Sequence, residues 1–185
     1  MALESDDWIA EILNFWFNEI PREAWFEKDE LFDQRLRERF LPWHEHVAAL
    51  PMAHCVQDAE RAIAAVIALD QFPRNIFRGT PRAFATDAKA LAIANSAIES
   101  GFDARLSKDQ RKFLYLPFGH AEDPAVQARA VQLMANLQDA ELGRYAVAHK
   151  DIIDRFGRFP HRNAILGRIS TPEEIAFLSQ PDSSF

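Results

Sequence analysis

The chain is poor in cysteine and positive charge, and each shortage excludes something. Cys55 is the only cysteine in 185 residues, which excludes an internal disulfide and a four-cysteine zinc site and fits a reducing cytosol. A lone cysteine reads first as a small core residue. Lys and Arg number 21 against 28 Asp and Glu, a formal net charge of -7. General affinity for nucleic acid, which needs concentrated cations, is therefore not expected. The most apolar run, Ile63 to Leu69, falls well short of the roughly 20 residues that cross a bilayer. The opening MALESDDW lacks the basic start and apolar stretch of a secretory signal, so the expectation is a cytoplasmic chain with no membrane partner. No segment alternates convincingly at period two, so no strand is expected.

What the chain has is apolar mass: 48% of residues, with 15 Phe and 4 Trp, enough for the core of a single domain spanning 1–185. Helical spacing is clear in Trp8, Ile12, Phe15 and Trp16, with Ser5, Asp6 and Asp7 at the start, and Pro21 closes that helix. Leu31 to Val47 reads as two short helices divided by Pro42. A third helix spans roughly Val56 to Asp70. Thr80-Pro81 is expected to cap a helix running to Gly101. Ser107 with Gln110, Asp123-Pro124, Ala140 to Phe156 and Thr171-Pro172-Glu173-Glu174 mark four more. The fold class is all-α, with about eight or nine helices packed as antiparallel pairs.

One phrase occurs nearly twice: FPRNIFRGTP at 72–81 and FPHRNAILGRISTP at 159–172. Each copy runs Phe-Pro, Arg-Asn, an apolar pair, Gly with a neighbouring Arg, then Thr-Pro. In each, the proline is expected to stop a helix and the glycine to allow a tight turn. The Arg and Asn side chains can satisfy helix-end carbonyls or receive a ligand. Glu173 and Glu174 suit the helix start after Thr171, whereas Arg82 opposes the one after Thr80. The first copy thus gathers Arg74, Arg78 and Arg82, and an anion there is one reading; pairing with Asp70 or Asp87 is the other. Arg74, Asn75, Arg78, Arg82, Arg162 and Asn163 are the candidate ligand-binding residues. The turn Pro117 to Asp123 places His120 and Glu122 near a Pro-started helix; with His161 they are weak candidates for acid-base work. A metal held by these three, or by His44 and His46, is less favoured than caps and salt bridges, and no metal or cofactor is assigned. The stripe Phe15, Trp16, Phe17, Trp25 and Phe26 reads as core packing before ligand platform.

The segments LNFWF (13–17), AWF (24–26), LDQFPRNIFRGTPRAFATD (69–87), YLPFGHAED (115–123) and RFGRFPHRNAILGRISTPEEIAFL (155–178) together resemble a bacterial family known as domain of unknown function 924. The resemblance spans nearly the whole chain. It implies an all-helical fold similar to the tetratricopeptide-like superfamily and carries no assigned reaction. The family's turn usually reads His-Ser-Glu; Ala121 stands in the serine position, which excludes a serine nucleophile there.

Three functional readings follow. The favoured one is a binding or scaffold module whose Arg- and His-lined groove takes an acidic peptide or small anion. The second is an enzyme on a small anionic substrate, with Arg74 and Arg162 as clamps and His120, Glu122 or His161 moving protons. The third is a purely structural or self-associating protein. Oligomeric state is not legible.

Overall fold

The computed structural model describes residues 6–181 and 183; Ser5, expected above at a helix start, lies outside them. Among the described residues there is no strand, and the helices run α1 Asp7–Asn14, α2 Glu30–Ala49, α3 Met52–Cys55, α4 Ala59–Val66, α5 Phe72–Ile76, α6 Asp87–Glu99, α7 Lys108–His120, α8 Pro124–Ala135, α9 Ala140–Phe156 and α10 Pro172–Leu178. Two widened π-type turns, Phe15–Glu19 and Ile67–Gln71, extend α1 and join α4 to α5. Short 3-10 turns lie at Arg22–Trp25, Pro81–Phe84, Phe102–Arg105 and Pro160–Arg162. No described helix is long and apolar enough to cross a membrane.

The starts follow local chemistry. Asp29, Asp58, Asp123 and Asp139 each accept backbone N-H groups from the first turns of α2, α4, α8 and α9. Thr171 and Glu174 form a reciprocal capping box on α10. Ser107 and Gln110 do the same at α7, with bonds of 3.3 and 2.9 Å. These devices satisfy backbone donors that a helix cannot satisfy itself.

The chain divides into two compact units, one running to Arg78 and resuming at Arg82–Pro117, the other comprising Gly79–Pro81 and the chain from Phe118 onward. In the first, α2 packs on α5, α4 on α6 and α1 on α4. Trp8, Trp16, Phe40, Phe72 and Phe113 are fully buried there. Of the aromatic stripe, Phe15, Trp16 and Trp25 are core, Phe17 is half-buried and Phe26 exposed; Phe72 lies 5.7 Å from Trp16 and 4.9 Å from Phe40, centroid to centroid. In the second unit α8 packs on α9 and the Pro160–Arg162 turn on α10. Its core gathers Ile152, Ile153 and Phe159, with Phe156 and Phe177 against them.

The prolines behave differently from expectation. Pro42 does not divide α2, which is one helix of 20 residues. An interior proline costs about 3 kcal/mol; α2 buries Leu36, Phe40, Trp43 and Val47, each worth roughly 1.5–3 kcal/mol, so burial prevails while Pro42 stays exposed. Pro73 does not stop a helix either: it lies at the start of α5, directly after the π-type turn. Having no N-H, it cannot donate to the carbonyl four residues back, Leu69, or five back, Ala68. Both are met by side chains from afar, Thr86 Oγ1 donating to Leu69 at 2.5 Å and His44 Nδ1 donating to Ala68 at 2.8 Å. That bond fixes the neutral tautomer of buried His44, and burial pushes its pKa below the ordinary value.

Thr80-Pro81 opens only a 3-10 turn, and α6 begins at Asp87 after Thr86. Thr86 and Asp87 are drawn to the Ile67–Ile76 segment, which sets the helix start six residues late. α7 runs through Pro117 to His120, so His120 stands in a last helical turn and not in an irregular one. In the second phrase the stop is Gly157, at φ 69°, ahead of Pro160. Gly79 and Gly167, at φ 76° and 66°, occupy the left-handed region as their turns require.

Lys89 was not singled out in the sequence, yet its ammonium donates to the carbonyls of Val47, Ala48 and Leu50. It caps the end of α2, where a cation is favoured. Lys89→Met is expected to lower stability by about 2 kcal/mol, since three carbonyls lose a charged donor. Urea titration checks this; a loss under about 0.5 kcal/mol would mean water replaces the ammonium at no cost.

Candidate functional site

The first copy of the phrase is built on its own carboxylates. Arg74 forms a two-pronged pair with Asp87, at 2.9 and 3.0 Å. It also reaches the Asp70 carboxylate at 3.3 Å and donates to the Asp70 carbonyl. Asp70 is fully buried and accepts the Gln71 amide at 2.6 Å. Asn75 donates to the Gln71 carbonyl at 3.3 Å, and Arg37 donates to Ile76. Arg78 clamps Asp33 through Nε and Nη2 at 2.5 and 2.8 Å and donates to Asn75 Oδ1 at 2.7 Å. Arg82 is the loosest: 60% exposed, 3.4 Å from an equally exposed Glu45, its guanidinium 3.9 Å from the Phe77 ring centre.

The second copy repeats part of this with different partners. Arg168, beside Gly167, clamps Glu122 at 2.6 and 2.9 Å and donates to Asn163 Oδ1 at 2.9 Å. The counterpart is Arg78, beside Gly79, with Asp33 and Asn75. In both copies the arginine next to the glycine ties the phrase's asparagine to a carboxylate about 45 residues distant in sequence. Asn163 also donates to Ser170 and Glu174, at 3.0 and 3.3 Å. Glu174, 2% exposed, takes a two-pronged bond from Arg158 and the backbone N-H of Thr171.

The turn after α7 meets the second phrase here, because Glu122 accepts the Phe159 N-H at 2.8 Å in addition to Arg168. Burial raises the Glu122 pKa, but Arg168 and the Phe159 N-H outweigh it and leave the carboxylate below its ordinary value. Arg162, nearly buried, lies 4.6 Å from the Phe159 ring centre. His149 and His161 flank the same ring at 5.6 and 5.5 Å. Burial, then Arg162 and His149, push the His161 pKa down to about 4, so the ring is neutral at pH 7. The arrangement offers a charge-dense, partly covered surface of guanidinium and imidazole groups, with its carboxylate ionised and engaged.

Of the sequence candidates, Glu122, His161, Arg162 and Asn163 come together in the second unit; Arg74, Asn75 and Arg78 form a separate node in the first, and Arg82 lies at that unit's surface. His120 ends α7. His44 serves the π-type turn, and His46 lies 5.8 Å from the Trp43 ring centre. Among the described residues no three of His, Cys, Asp and Glu are grouped to hold a metal ion. Cys55 is a buried thiol whose pKa burial raises. Sequence reasoning did not select Arg158, Arg168, Asp33 or His149; the glycine-adjacent arginine of each phrase was the one available signal.

Comparison with known proteins gives a consistent result. A solved structure described as a protein of unknown function, ATU0120, from Agrobacterium tumefaciens is similar at 45% identity, with a TM-score of 0.87 over 92% of this chain and 96% of that one. No curated protein matches. The sequence profile described as bacterial protein of unknown function (DUF924) matches residues 12–182, and the chain belongs to that family.

Proposed function

We propose that this chain is a binding module for a small anion, a carboxylate or phosphate group either free or carried on an acidic peptide, received at the second phrase by Arg162 and His161. The observation that carries the reading is the gathering of Arg162, His161 and His149 around the Phe159 ring, at 4.6, 5.5 and 5.6 Å. Arg168 is clamped on Glu122, and Arg162 and His149 lie close enough to His161 to add to burial in holding its pKa down. An anion beside Arg162 would meet a guanidinium, and a neutral imidazole can donate one N-H to it. Binding is favoured over acid-base catalysis because Glu122 is ionised and locked by Arg168. In the first copy, Arg74, Asn75 and Arg78 are engaged by Asp87, Gln71 and Asp33, and Arg82, though 60% exposed, takes no part.

A thermal-shift titration with citrate and phosphate against chloride at equal ionic strength tests the reading. Wild type is expected to gain melting temperature saturably, and Arg162→Lys, which keeps the charge but loses the planar fork, to bind about tenfold more weakly. His161→Gln is expected to weaken binding severalfold while folding normally, and Arg82→Gln to leave it unchanged. Equal saturation in wild type, Arg162→Lys and His161→Gln would defeat the assignment.

A further inference from the structure

The first unit carries an arrangement that neither the phrases nor the proposed anion site uses. The ammonium of Lys112, on α7, lies 4.0 Å from the ring centre of Trp25, 4.9 Å from Phe113 and 5.3 Å from Phe26. All three are inside the roughly 6 Å at which an aromatic face attracts a cation. The rings are held in place from behind. Trp25 Nε1 donates to the Trp16 carbonyl at 2.8 Å, fixing the indole, and Phe113 is fully buried at 4.9 Å from Trp25. Phe26 is the outer wall, 60% exposed and stacked on Phe113 at 6.0 Å.

We propose that Trp25, Phe26 and Phe113 form an aromatic cage for a small quaternary ammonium ion, which in this structure is closed by the chain's own Lys112. Three ring faces converging on one positive charge suit a weakly hydrated cation, which gives up little solvation on entry. The rings surround a single ammonium, so the ion is taken to be a small free cation. Lys112 acts as a tethered competitor whose local concentration a ligand must exceed.

The test is titration with tetramethylammonium chloride against sodium chloride at equal ionic strength, read on the Trp25 indole N-H resonance. Lys112→Met is expected to saturate in the millimolar range, about tenfold below the concentration wild type needs. Lys112→Gln, also uncharged, serves the same purpose should the methionine variant fold poorly. Adding Phe26→Ala to either variant is expected to abolish saturation, and Phe26 is exposed enough for its loss to spare the fold. No saturable shift in the Lys112 variants, or a shift that survives Phe26→Ala, overturns the proposal.

Discussion

Replacing Arg74 by methionine is expected to destabilise the first unit by about 3–5 kcal/mol, the cost of leaving a buried charge without its counter-charge. Arg74 faces two carboxylates and a carbonyl. Asp87 is partly exposed and can turn to water, whereas the Asp70 side chain is wholly inaccessible. The substitution therefore takes the Arg74 guanidinium away from a buried carboxylate. Neutralising that carboxylate as well should recover stability, so Arg74→Met with Asp70→Asn is expected to unfold at higher urea than Arg74→Met alone. Denaturation of both variants at pH 7 decides it. A single variant within about 1 kcal/mol of wild type, or a double variant no better than the single, would show that the node is not a buried ion pair in energetic terms.

The second unit is expected to lose stability in two separate acid windows. His161 is held at about 4 against an ordinary 6.5. Above pH 6.5 neither the folded nor the unfolded chain binds the proton. Between 6.5 and 4 only the unfolded chain does, so stability falls by up to about 3 kcal/mol across that range. Glu174 runs the opposite chemistry to the same end. The bonds from Arg158 hold it at about 2 against an ordinary 4.5. Its contribution is complete above 4.5 and disappears as pH falls through 2. Glu174→Gln removes the charge that Arg158 and Asn163 depend on, and at pH 7 should cost about 3 kcal/mol. Amide exchange in α9 and α10, followed from pH 7.5 to 3, separates the windows. His161→Gln should flatten the upper one and Glu174→Gln the lower. An upper window that persists in His161→Gln would assign it to another group.

These two nodes also measure how far local sequence reaches. The starts at Ser107 with Gln110, Asp123 and Thr171 are legible because donor and acceptor stand within three residues of each other. The left-handed turns at Gly79 and Gly167 are legible for the same reason. Pro42, Pro73 and Pro117 are not, since a proline ends a helix only when nothing compensates the bond it deletes. For Pro73 the compensation comes from His44 and Thr86, 24 and 17 residues from the carbonyls they serve.

The candidate site divides along the same line. That the two phrases are specified junctions, rich in arginine and asparagine and turning on a left-handed glycine, follows from composition and short-range chemistry alone. So does the all-helical class, from apolar spacing at the helical period. Which arginine spends its charge inside the fold was decided only by tertiary structure. Arg74 and Arg78 were candidates to receive an anion, and Asp87 and Asp33 meet them; Arg168, which was not a candidate, takes Glu122. The physical reason is that an ion pair joins side chains far apart in sequence, 46 residues for Arg168 and Glu122, and only the packed helices determine which charges come within a few ångströms.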